Sequence, residues 1–161
     1  MSIIKRAVEK DISPIIEMIR EFAAFENLSD YCEVTEENLH DAMFGAKNCL
    51  EGLMAFDAND VPIGYALFYE NFASFRGQRG FYLEDLYVKP EHRCSKIGEA
   101  FLRALARIGK QRNFRRIDLL VLDWNENAIR FYKKLGAKMD AEERHFKFTD
   151  EAFEKLSEEK E

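Results

Sequence analysis

The chain has 161 residues, of which 47% are hydrophobic and 34% charged, and its formal net charge is -6. At this length one domain, residues 1–161, is expected, with enough apolar side chain for a compact core. The acidic balance argues against nucleic acid as the main partner, because neutralising phosphates needs a basic face. No apolar run reaches the length of a membrane span.

Cys32, Cys49 and Cys94 lack paired spacing, which points to a reduced, cytoplasmic setting. Residues 1–8 lack the long apolar core of a secretory signal. The charge is segregated. Residues 9–60 carry 13 acidic side chains against Lys10, Arg20 and Lys47, a balance of -10. Residues 89–116 carry 9 basic side chains against Glu91 and Glu99, a balance of +7. Residues 140–161 carry 9 acidic against 4 basic. A basic middle beside acidic ends suits a protein that holds an anion and receives a cation.

In chain order, residues 3–6 read as a first strand. Ser13-Pro14 reads as a helix start, with Ile15, Ile16, Ile19, Phe22 and Ala23 at helical spacing to about Phe25. Thr35 caps a second helix with Leu39, Met43 and Phe44 inward, closed by Gly45. Residues 49–56 and 61–69 read as antiparallel strands around an Asn59-Asp60 turn, with Gly64 as a bulge. Residues 72–80, with two glycines, read as a loop, and residues 81–88 as a third strand.

Residues 96–111 place Ile97, Phe101, Leu102, Leu105 and Ile108 on one helical stripe. Residues 117–122 are nearly continuous apolar, the mark of a strand covered on both faces. A helix over 127–135 ends at Gly136; two last strands (137–141, 145–148) and a helix capped at Thr149-Asp150 follow, and residues 157–161 fray. The strand–helix–strand crossover from 81 to 122 is expected to be parallel and right-handed. The fold class is therefore mixed α/β.

Chemistry concentrates between Tyr82 and Gly98. Glu84 and Asp85 are adjacent in an apolar strand, where burial raises a carboxylate's pKa and alternation puts the two on opposite faces. Pro90 stops the strand, Arg93 follows, and a helix opens near Lys96. Free N–H groups at such a helix start, with the helix dipole, suit a phosphate-bearing ligand. His40, His92, His145 and the cysteines show no metal-ligand spacing, and Cys94 beside His92 is a poor case for an acyl-cysteine route.

These residues resemble the GCN5-related N-acetyltransferases over nearly the whole chain. The cofactor signature Arg/Gln-x-x-Gly-x-Gly/Ala stands as Arg93-Cys94-Ser95-Lys96-Ile97-Gly98, and Asn-x-x-Ala-x-x-Phe-Tyr-x-x-x-Gly runs from Asn125 through Ala128, Phe131 and Tyr132 to Gly136. The strings YLEDLYV and FENLSD are similar to the diamine (spermidine/spermine) and thialysine branch.

The resemblance implies the acyl-CoA N-acyltransferase fold, a mostly antiparallel sheet flanked by helices. It implies acetyl-CoA as co-substrate, no metal, a small cationic amine as acceptor, direct transfer in a ternary complex, and a homodimer. Glu84 is implied as general base through a water, the alternative being a partner for substrate ammonium groups or a structural cation. Tyr132 is implied as general acid, the alternative being a core tyrosine. Leu86, Tyr87 and Val88 would offer backbone to the acyl carrier. Arg93 and the N–H groups of Cys94, Ser95, Lys96, Ile97, Gly98 and Glu99 would hold pyrophosphate, with Asn125 and Ala128 on the carrier arm; Asn125 otherwise caps a helix. Phe25, Glu26, Asp85 and Glu142 or Glu143 fall on the substrate side.

The departure is Lys96 in a glycine position, with Cys94 in another that is often glycine. A cation at a helix N-terminus is unfavourable unless an anion sits there, so Lys96 reads as a phosphate contact or as a solvent-facing side chain. Acetylation of a protein or amino-acid amine, and an idle acyl-CoA-binding module, are the alternatives.

Overall fold

The computed structural model describes residues 3–158. Residues 1–2 and 159–161, where parts of the expected leaderless start and fraying end fall, lie outside the described residues. The described chain forms two compact units, meeting in sequence between Leu122 and Asp123.

The first unit holds a mixed five-stranded sheet in the order β1-β2-β3-β4-β5. Its elements are β1 (Ile3–Arg6), α1 (Ile12–Phe25), α2 (Glu36–Phe44), β2 (Glu51–Phe56), β3 (Pro62–Ala73), β4 (Gln78–Val88), α3 (Ile97–Gln111) and β5 (Ile117–Leu119). The first three strand pairs are antiparallel, and β5 joins β4 in parallel after the α3 crossover. α1 and α2 cover one face, burying Ile15, Ile16, Met18, Leu39 and Met43 on Met54, Tyr65, Leu67 and Tyr87. α3 covers the other, burying Ile97, Phe101 and Leu105 on Leu53, Phe68, Phe81 and Leu83.

α1 begins one residue before Ser13, and no side chain caps it. Ser13 and Pro14 thus sit inside the first turn, where a missing N–H is still costless. The helix stops where Asn27 turns left-handed (φ 57°) and the Leu28 N–H donates to the Ala23 carbonyl at 2.8 Å. α2 is capped reciprocally: Thr35 Oγ1 accepts from the Asn38 N–H at 3.2 Å, and Asn38 Oδ1 from the Thr35 N–H at 2.9 Å.

Three strand expectations change. β3 and β4 pair out to Ala73↔Gln78, so most of the expected loop 72–80 is ladder. Gly80 serves close approach rather than a turn, since a Cβ there would lie 2.6 Å from the Arg116 carbonyl oxygen. The first bulge falls beside Gly64, not at it: Ala55 pairs with Gly64 and Phe56 with Pro62, leaving Ile63 over. β5 is only half-buried and stops at Leu119.

The second unit holds α4 (Glu126–Lys134) and α5 (Asp150–Ser157). Asn125 caps α4, its Oδ1 accepting from the Ala128 N–H at 3.2 Å, and Gly136 closes it at φ 94°. The strands expected at 137–141 and 145–148 do not form, and Thr149 makes no side-chain cap to α5. A four- or five-residue alternation specifies a face but supplies no ladder partner.

Candidate active site

The site begins with a bulge in β4. Leu83 pairs with Phe68 and Asp85 with Leu67, so Glu84 is the extra residue. The bulge cancels the expected alternation. Leu83 packs on the α3 side, while Asp85 accepts a hydrogen bond from the Tyr65 hydroxyl at 3.3 Å on the α1 side. Glu84 lies near enough to Asp85, Tyr69 and Tyr82 for its charge to act on all three. Burial also falls differently from expectation. Glu84 is exposed, and Asp85 is the carboxyl pushed up from 3.8 to about 6, by burial first and by Glu84 second.

Glu26, just past the end of α1, is the third member. Burial raises its pKa, and its charge also raises that of Asp85. Beside these carboxylates the rings of Tyr69 and Tyr82 stack at 5.2 Å. Burial and then Glu84 raise both phenols. Partly desolvated carboxylates beside aromatic faces make a cation-binding surface. Tyr65, Tyr69 and Tyr82 were not anticipated, though the spacing Tyr65-x-Leu67-x-Tyr69 already put three side chains on one strand face.

Beyond the bulge one edge of β4 opens. β5 pairs with β4 only from Phe81 to Leu83, so the backbone of Glu84–Val88 has no strand partner on that side among the described residues. Leu86 and Val88 pack on the α3 side. Tyr87 points the other way: it stacks on Phe22 at 5.4 Å and donates to Glu21 Oε2 at 3.0 Å. Burial and that bond push its phenol to about 12.

The following loop is shaped for close backbone approach. Cys94 (φ 64°) and Lys96 (φ 65°), the two positions where the signature favours glycine, are both left-handed. The Ser95 hydroxyl donates to the His92 carbonyl. No side chain caps α3, so the N–H groups of Ile97, Gly98 and Glu99 point out of its first turn. Those groups and the helix dipole fit an anion there. Arg93, expected on pyrophosphate, is engaged elsewhere: its Nε donates to the Val88 carbonyl at 2.9 Å, and its guanidinium lies over the Phe25 and Tyr87 rings.

The remaining expected residues lie in the second unit. Asn125 is committed to its cap, with Ala128 as donor. Tyr132 is half-buried on α4, its ring 5.0 Å from that of Phe131. Glu142 is exposed, its N–H donating to Asp140 Oδ1 at 3.1 Å. Among the described residues no group of His, Cys, Asp and Glu is arranged to hold a metal, and no helix is long and apolar enough to cross a membrane.

An acidic, aromatic surface thus lies on one side of β4, and an anion-accepting loop follows its open end. Residues 16–137 match the profile of the Acetyltransferase (GNAT) family. The chain belongs to that family. Like other GNAT proteins it is an N-acetyltransferase that acts on amines. It is similar to the thialysine N-epsilon-acetyltransferase of Bos taurus, 38% identical with 96% of each chain covered, and to that of Mus musculus, 34% identical at the same coverage. The L-ornithine N5-acetyltransferase of Arabidopsis thaliana is 35% identical over 61% of this chain and 43% of its own. The fold matches an integron cassette protein of V. cholerae with a TM-score of 0.79 at 23% identity, covering 98% of both chains.

Proposed function

We propose that this GNAT domain, residues 1–161, moves an acetyl group from acetyl-CoA to a primary amine of a small cationic substrate, by direct transfer in a ternary complex. The acceptor class is polyamine, diamine or thialysine-like. One observation carries the reading: the charges of Glu84, at the bulge, and of Glu26 both act on Asp85, beside the stretch of β4 whose far edge is open. Thialysine N-epsilon-acetyltransferase relatives support the acceptor class.

Acetyl-CoA supplies an acyl group on a good leaving thiol. The α3 N-terminus and the backbone of Cys94–Glu99 would hold its phosphates, and Leu86–Val88 its arm. The amine is the harder reactant. A primary alkylamine titrates near the lysine reference of about 10.4, so only about one molecule in 2,500 is neutral at pH 7. Asp85 and Glu26 attract the cation. Glu84, exposed and able to reach water, accepts the proton, a role worth roughly 100- to 10,000-fold. Tyr132 returns a proton from its phenolic O–H to the departing sulfur.

The test is a thiol-release assay across spermidine, putrescine, thialysine, lysine and a histone peptide. Turnover confined to the small amines is expected. Preference for the peptide would move the assignment to protein acetylation. Tight acetyl-CoA binding with no turnover of any amine would leave an idle binding module.

A cytoplasmic homodimer completes the proposal. Phe146, Phe148 and Leu156 are 84%, 64% and 67% exposed, which supports a partner surface. Sedimentation of the full chain tests it, and a monomer at assay concentration would remove it.

A further inference from the structure

Tyr65, Leu67 and Tyr69 alternate along β3 and so share one face of the sheet. Tyr65 and Leu67 pack in the core under α1 and α2, and the Tyr65 hydroxyl donates to Asp85. Tyr69 continues that face past Asp85, toward the β3–β4 hairpin. Its register partner on β4 is Tyr82, and the two rings stack at 5.2 Å with planes 25° apart. Both residues are only half-buried. Aromatic surface is therefore presented beside the carboxylates rather than sealed in the core.

Tyr82 stands two residues before Glu84 on the same strand, and two residues of strand cover about 6–7 Å. The charge of Glu84 reaches both phenols. An acceptor with four carbons between its two nitrogens has five bonds of about 1.5 Å, which zigzag across about 6 Å. Its second nitrogen thus falls at the rings when its first lies at Glu84. Asp118, the register partner of Tyr82 on β5, is already shared. It accepts from Asn71 Nδ2 at 2.8 Å and from Arg116 Nε at 2.7 Å. The ring faces are then the groups that attract the second charge, through their quadrupoles.

We propose that Tyr69 and Tyr82 are specificity-determining residues, the stacked pair taking the second ammonium of a diamine whose first lies by Asp85 and Glu84. The site then selects acceptors that carry a second cation about four carbons from the reacting nitrogen. The proposal rests on the proposed function, which places the reacting amine at those carboxylates.

The experiment measures kcat and KM for putrescine and for butylamine, which share a four-carbon stem and differ in the second charge. Tyr82→Leu is expected to raise the KM for putrescine about three- to tenfold, the scale of a lost cation–π contact, with butylamine within about twofold and kcat unchanged. Tyr69→Leu should do the same, and it carries the test if the first variant does not fold. Tyr82→Phe should keep the preference of the parent, because the ring face stays. Equal KM values for the two amines in the parent, an equal rise for both in the leucine variants, or a loss in Tyr82→Phe as large as in Tyr82→Leu would each overturn the assignment. Failure of the underlying reading looks different: the unaltered protein then turns over neither amine, and the proposal falls with it.

Discussion

The Tyr65 hydroxyl donates to Asp85 Oδ2 at 3.3 Å, joining a fully buried tyrosine on β3 to the carboxylate beside the bulge on β4. The bond favours the charged carboxylate, but burial and Glu84 outweigh it, and the carboxyl sits at about 6. Asp85 thus holds its proton more tightly in the fold than in the unfolded chain. The stabilisation is complete below the ordinary value of 3.8 and is lost as pH rises through about 6. Asp85→Asn should remove that dependence, and gain about 2 kcal/mol on the parent between acidic and neutral pH. Urea unfolding at about pH 4.5 and about pH 7.5 reads it; parallel pH curves for parent and variant would contradict it. Spermidine affinity of the parent should also fall as pH drops through about 6, because the protonated carboxyl no longer attracts a cation.

Glu84 and Tyr132 should separate chemistry from binding. Glu84→Gln is expected to lower kcat at least about 100-fold, with acetyl-CoA affinity unchanged. Tyr132→Phe should likewise lower kcat with little change in acetyl-CoA affinity. Full kcat in either variant would rule that residue out of proton transfer.

Cys94 and Lys96 are left-handed without being glycine. That conformation costs a residue with a Cβ roughly 1–2 kcal/mol, while glycine gives back about 0.4–1 kcal/mol through the unfolded chain. Lys96→Gly should therefore stabilise the fold by about 0.5–1 kcal/mol, measured by denaturant midpoint. If the ammonium also contacts a phosphate, the same change should raise the acetyl-CoA KM severalfold. An unchanged or lower KM would leave Lys96 a solvent-facing residue.

Gly64 lies where β4 and α3 press on β3. A Cβ there would stand 2.7 Å from the Tyr87 carbonyl oxygen and 3.2 Å from a Phe101 ring carbon. Backbone cannot move aside cheaply, so Gly64→Ala should destabilise by about 1–3 kcal/mol despite its entropic benefit. A midpoint equal to the parent's would show that β4 gives way freely at Val88.

Much was readable without coordinates where the deciding interactions are local. α2 announced itself through Thr35 and Gly45, α3 through its stripe from Ile97 to Leu105, and both signals act within a few residues along the chain. The family motifs were equally plain, because Arg93–Gly98 and Asn125–Gly136 are contiguous strings. What escaped depends on which strand lies next to which. Glycines at 77 and 80 suggested a loop until β3–β4 pairing claimed most of it. Residues 137–141 and 145–148 read as strands, yet form none.

The sequence by itself determined the family, the mixed α/β class, the helix positions and the residue types available for chemistry, since these follow from local spacing and composition. Only the tertiary structure decided that Glu84 bulges out, that Asp85 is half-buried while Glu84 is exposed, and that Arg93 turns to Phe25. The reason is register: one residue of slip between two paired strands changes which face a side chain serves, and nothing along a single strand records what its neighbour will be.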